Sequence, residues 1–141
     1  MSESLGIIIP DYKSPFLEQV IKNALLLNPE KIVVSNFETA ETLLIQNKFN
    51  HIKSIQFLNF DNRKNPGDYR NEGVQKCFSK NLLFLDSDIR ISSQSIGYIE
   101  NLLKSDLNEN TIYWGIYSKS SQGVFSKIQN KILRYRFSKK F

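Results

Sequence analysis

The chain has 141 residues, 40% hydrophobic and 23% charged, enough for one globular domain with its own core. One cysteine, Cys77, excludes a disulfide framework within the monomer and fits a reducing compartment. The net charge of +5 sits in the tail: seven basic residues and no acidic one follow Glu109, while the rest carries 12 basic against 14 acidic, which argues against a nucleic-acid binder.

The opening MSESLGIIIPDYK lacks the basic leader and long apolar run of a signal peptide. No stretch approaches the ~20 apolar residues that cross a bilayer. A cytoplasmic protein is expected. Leu5 to Ile9 is a short β-branched run that reads as a buried strand stopped by Pro10. Ser14-Pro15 predicts a helix start, with Ser14 as N-cap, and Leu17, Val20, Ile21, Ala24 and Leu25 follow at helical spacing to Asn28-Pro29. Lys31 to Ser35 predicts a second buried strand. Glu38 to Gln46 predicts a helix with Ala40, Leu43 and Leu44 on its apolar side, and Ser54 to Phe60 a third strand. Pro66-Gly67 marks a turn, after which Asp68 caps a helix burying Val74, Cys77 and Phe78. Leu82 to Leu85 is a fourth strand ending at Asp86. Ser92-Ser93 starts a helix bearing Ile96, Ile99, Leu102 and Leu103. Thr111 to Tyr117 reads as a fifth strand and Val124 to Phe137 as a basic last helix.

Strands and helices alternate throughout, which implies an α/β domain: a mostly parallel central sheet with helices on both faces. Residues 1–141 read as a single domain. Ligands of such sheets bind at the carboxyl ends of the strands. Those ends read Pro10-Asp11-Tyr12, Ser35-Asn36, Asn59 to Asn62 and Asp86-Ser87-Asp88. In the last, two carboxylates one residue apart follow a pure hydrocarbon strand. Hard cations such as Mg²⁺ or Mn²⁺ favour such oxygen donors, completed by phosphates and waters. The alternative is that Asp86 and Asp88 are ordinary turn residues.

The stretch Gly67-Asp68-Tyr69-Arg70-Asn71-Glu72-Gly73, followed by Lys80 to Asp88, resembles the G-x-x-RN-x-G…hhFLDSD block of family 2 glycosyltransferases. Ile7 to Tyr12 resembles their hhIPxY opening strand. The resemblance covers about Leu5 to Ile91 and implies a Rossmann-like GT-A fold, truncated relative to the family. On it, residues 1–91 are the nucleotide-binding part and 92–141 the start of the acceptor part. It implies that Pro10 and Tyr12 lie beside the nucleotide base, and that Arg70 sits in the first turn of its helix near the base pocket. Asp86 would face the nucleoside and Asp88 would hold a Mn²⁺ or Mg²⁺ ion on the diphosphate of a nucleotide sugar. Arg70 equally suits an ion pair with Asp86 or Asp68.

Two departures from the family pattern stand out. Where members carry an acidic residue after the second strand, this chain has Ser35-Asn36, so base recognition would rest on neutral hydrogen bonds. The acidic segment expected to supply the general base for the acceptor is not found after Glu109. The expectation is donor binding without efficient transfer by this chain alone, as a truncated chain, a split enzyme or a remnant. The acceptor would be a glycan or a lipid-linked sugar, with the basic C-terminal helix touching a membrane surface. His51 reads as a surface residue, and Tyr113, Trp114 and Tyr117 as buried strand residues before acceptor contacts. Alternatives are a non-catalytic nucleotide-sugar-binding or interaction module and, further off, a haloacid-dehalogenase-like phosphatase. The phosphatase pattern wants its motif near the start and a later acidic pair, which the chain lacks.

Overall fold

In the computed structural model, which describes residues 4–105, the branched aliphatic runs form the centre of an all-parallel sheet. The elements are β1 (Leu5–Asp11), α1 (Leu17–Leu25), β2 (Lys31–Phe37), α2 (Ala40–Phe49), β3 (Ile55–Phe60), α3 (Pro66–Gln75), β4 (Asn81–Phe84) and α4 (Ser93–Lys104). The sheet order is β3-β2-β1-β4. The stretches 111–117 and 124–137, expected as strand and helix, lie outside the described residues.

β1 is the axis, paired to β2 on one side and β4 on the other, with all seven of its residues buried. Alternation along the strand divides the core into two layers. Ile7 and Ile9, with Val34 of β2, meet Leu17, Val20, Ile21 and Ala24 of α1. Ile45 and Phe49 of α2 and Ile96, Ile99 and Leu103 of α4 pack on that same layer. On the opposite face Ile8 and Val33 pack against Val74 and Cys77, at and just after the end of α3. Helices therefore cover both faces, as the alternation of elements predicts. Each of the fully enclosed Ile and Val side chains contributes about 1.5–3 kcal/mol of burial.

The structure corrects several local expectations. α1 begins at Leu17, because the Ser14 hydroxyl bonds to the Ser87 carbonyl and accepts from the Phe16 amide instead of capping a helix at Pro15. α2 does not bury Ala40, Leu43 and Leu44: all three are exposed, and Thr42, Ile45 and Phe49 face the sheet. Thr42 is tolerated inside because it forms a reciprocal capping box with Thr39, which satisfies its hydroxyl. α3 starts earlier than expected. Its N-cap is Asn65, whose side chain accepts from the Asp68 amide, with Pro66 at the first helical position. The residue buried from α3 toward the site is Tyr69, and Phe78 lies almost fully in solvent.

Gly73 shows how closely α3 approaches the sheet. A Cβ there would lie 2.5 Å from Ile8 Cγ2 and 3.2 Å from Ser35 Oγ. Ile8 is β-branched and enclosed, so its methyl has little room to yield. Gly73→Ala is expected to cost about 1–3 kcal/mol by overpacking. Gly97 of α4 has nothing within 4 Å of its Cβ position, so Gly97→Ala is expected to stabilise by about 0.5–1 kcal/mol through helix propensity. Urea unfolding of both variants measures the opposite signs.

Candidate active site

The strand order reverses at β1. The chain steps outward through β2 and β3, then returns to lay β4 on β1's other side. Open α/β sheets bind ligands at such a switch point, beyond the carboxyl ends of the strands. β1 and β4 pair from Leu5↔Asn81 to Ile8↔Phe84, with one more bond from the Leu85 amide to the Ile8 carbonyl. Past that bond the two chains diverge and a cavity of about 510 Å³ opens. Pro10 sits at the divergence. Ile8 directs its backbone groups to β4, so two residues on Pro10 would direct an N–H into the gap. Proline lacks that donor, and the ladder loses nothing.

The cavity wall brings together Pro10, Tyr12, Arg70, Asp86 and Asp88, which stand far apart in sequence. Arg70 is the fifth residue of α3, one turn deeper than the resemblance implied, because Asn65 starts the helix early. Its Nη2 donates to Asp86 Oδ1 at 2.6 Å, with both side chains about a third exposed. The ion pair and the place in the cavity hold together. Asp88, two residues on, is exposed. Tyr12 is 41% exposed and rests against Phe37 at the end of β2, ring centroids 5.4 Å apart. The Arg63 guanidinium lies 4.7 Å from the centre of the Tyr12 ring. Ser35 and Asn36 are fully buried and do not line the cavity. Ser35 Oγ lies at the α3 packing contact, and the Asn36 amide donates to the Phe37 carbonyl at 3.3 Å.

Other cavity residues were not singled out from the sequence. Arg63 and Lys64 add cations from the loop before α3, and Tyr69 is enclosed, with its Oη accepting from the Lys64 amide at 3.3 Å. Composition offered no signal for these, since a loop Arg-Lys pair usually means a solvated surface. Asp11 did leave a signal: an acidic residue directly follows the run Ile7 to Pro10 and still belongs to the strand. It is 1% exposed, and its Oδ1 accepts from the Ser14 amide at 3.1 Å. Its Oδ2 has no hydrogen-bond partner among the described residues. The same is true of Asn36 Oδ1 and Asn59 Oδ1, and the three positions are paired in register across β1, β2 and β3. A row of acceptor oxygens thus lies across the sheet on the α1 side.

Burial pushes the Asp11 carboxyl above the ordinary carboxylate range, and nearby donors from Ser87, Ser14 and Lys13 offset only part of the rise. A raised folded-state pKa means that the folded protein holds this proton more tightly than the unfolded chain. The associated stability is present below the unfolded value of 3.8 and is lost as pH rises through the folded value. At neutral pH the ionised carboxylate therefore costs stability. Asp11→Asn keeps an acceptor for the Ser14 amide and removes the charge. Its melting temperature is expected to exceed the wild type's at pH 7, with the gain shrinking as pH falls toward 3.8. Thermal melts across that range measure the trend.

Comparison with known proteins gives the family. No curated protein matches the chain. Among solved structures the chain is similar to S. aureus TarS. It aligns with a crystal structure of TarS 1–349 at TM-score 0.59 and 21% identity, over 72% of this chain and 32% of that one. With a second TarS crystal structure the TM-score is 0.59 and the identity 22%, over 72% of this chain and 19% of that one. The chain thus spans about a third and a fifth of these chains, and at such identity the likeness speaks for the fold, a Rossmann-like GT-A arrangement. The family model described as Glycosyl transferase family 2 matches residues 6–141. With the parallel sheet, the switch-point cavity and the Asp86-Ser87-Asp88 turn in view, the chain belongs to glycosyl transferase family 2.

Proposed function

We propose that the cavity between β1 and β4 binds the nucleotide-diphosphate sugar donor of a glycosyl transfer, with a divalent cation, Mn²⁺ or Mg²⁺, at Asp86 and Asp88. The observation that carries this reading is the convergence of Pro10, Tyr12, Arg70, Asp86 and Asp88 on one cavity at the switch point. The donor set suits the ion. Asp88 presents a carboxylate at the surface of the cavity, and Asp86 stands two residues before it. Among the described residues no cluster of three or more His, Cys, Asp or Glu is assembled. A cation at Asp86 and Asp88 would be held by these carboxylates and completed by phosphates and waters. When bound, the ion would neutralise the diphosphate as it leaves.

The chain's own residues supply the rest. Tyr12, backed by Phe37, offers an aromatic face for a nucleobase. Arg63, Lys64 and Arg70 place three cations beside three carboxylates, so an anionic donor meets compensating charge on both sides. The N-terminus of α3 opens on the same cavity through Pro66 and adds its positive end. Asp11 lines the cavity wall but is 1% exposed. A glycan or lipid-linked sugar fits as acceptor. The basic residues from Lys119 to Lys140 would complement an anionic membrane surface, in keeping with a cytoplasmic site of action.

Calorimetry with UDP and with GDP, each with and without Mn²⁺, tests the reading. Binding of at least one nucleotide is expected to depend on the metal. Asp88→Ala is expected to weaken it by about tenfold or more, roughly 1.4 kcal/mol or above. Arg70→Ala is expected to weaken it as well, by removing a cavity cation and the partner of Asp86. Failure of both nucleotides to bind the folded wild type in the presence of Mn²⁺ would overturn the proposal.

A further inference from the structure

β4 loses its ladder to β1 after the Leu85–Ile8 bond, and Pro10 offers no amide with which to extend it. The turn Asp86-Ser87-Asp88 therefore begins where the sheet stops holding the chain. The Ile89 amide closes the turn on itself by bonding to the Asp86 carbonyl at 3.2 Å. A tie to β1's side of the cavity comes from Ser14, 73 residues away, whose hydroxyl donates to the Ser87 carbonyl at 2.8 Å. Ser87 is buried at 8% exposure, so this bond is shielded from competing water.

Ser14 is itself held by the loop after β1, where Lys13 has a φ of 56°, a left-handed conformation unusual for a residue with a side chain. Asp11 stabilises that shape. Its Oδ1 accepts from the Ser14 amide across the turn, and its carboxylate is immobilised by burial at the end of β1. Asp11, Ser14 and Ser87 thus form a relay from the central strand to the acidic turn. The proton affinity of Asp11 is a consequence of this enclosure, not the basis of the relay.

We infer that Asp11 is a positioning residue for the donor site: through Ser14 its buried carboxylate fixes where the Asp86-Ser87-Asp88 turn stands across the cavity. The inference rests on the donor-binding reading above. It adds a residue at the cavity wall that is 1% exposed, with its effect carried by backbone placement. It also explains why a carboxylate is kept inside an apolar strand end despite the cost of burying it.

The test compares Asp11→Ala, Asp11→Asn, Ser14→Ala and the double variant Asp11→Ala/Ser14→Ala. Two readouts are used. One is Mn²⁺-dependent affinity for whichever of UDP or GDP the wild type binds. The other is amide hydrogen exchange at Ile89, which reports closure of the turn without any ligand. Ser14→Ala and Asp11→Ala are expected to weaken nucleotide binding about five- to tenfold and to speed exchange at Ile89. The double variant is expected to be no weaker than Asp11→Ala alone, because both substitutions cut one relay. Asp11→Asn, which keeps the acceptor, is expected to stay within about twofold of wild type, a rescue that a charge-based role would not allow.

Wild-type affinity and wild-type exchange in Ser14→Ala would overturn the inference, as would additive losses in the double variant. Should Asp11→Ala fail to fold in a melt, Ser14→Ala and Asp11→Asn still decide. A wild type that binds no nucleotide, with exchange at Ile89 still raised by Ser14→Ala, would sink the donor reading and leave the relay standing.

Discussion

The cavity of this domain depends on the point where the pairing of two parallel strands stops. β1 is enclosed on both faces and hydrogen-bonded on both edges, so it behaves as a rigid reference for everything around it. Its ladder to β2 runs on to Asp11, while its ladder to β4 ends near Ile8. Backbone groups beyond that end must find partners other than a neighbouring strand. Pro10 removes one donor, Ser14 satisfies one acceptor, and the space left between the diverging chains is the cavity. A longer β4 ladder would close it.

Charge in the cavity follows from the same divergence. The carboxylates come from the ends of β1 and β4, and the cations from the loop before α3 and from α3 itself. Arg70 and Asp86 bridge the two groups at 2.6 Å. Each of the pair is about a third exposed, so its worth in stability is modest, on the order of 1 kcal/mol or less. Its consequence is geometric: it orients one carboxylate of the acidic turn toward α3, while Asp88 remains in solvent contact. The proposed donor would thus meet a carboxylate already engaged with protein and another open to an ion.

Most elements were legible because hydrophobic period and chain punctuation agree along this chain. Leu5 to Ile9, Lys31 to Ser35 and Leu82 to Leu85 are short apolar runs that form β1, β2 and β4 within a residue or two, but β4 is not the buried strand expected, since Leu82 and Phe84 are exposed on the edge of the sheet. α2 misled because its apolar residues, Ala40, Leu43 and Leu44, make a plausible stripe. The sheet instead receives Thr42, Ile45 and Phe49, since the capping box makes a threonine cheap to bury. Phe78 misled for a related reason: an apolar residue in helical register just past the last turn of α3 has no surface to face.

The linear order of residues by itself determined the class of fold and the polar residues that follow each strand, the Asp86-Ser87-Asp88 turn among them. These are local properties: side-chain period, β-branching, turn chemistry and short motifs are all written within a dozen residues. Tertiary structure alone decided which strand ends share a cavity. It buried Ser35 and Asn36, expected at the second strand's end to meet the base, away from the cavity wall, and brought Arg63 over Tyr12. It also joined Asp11 through Ser14 to Ser87. Such contacts depend on strand order and on where a ladder ends, and no local pattern encodes the distance between residues 73 positions apart.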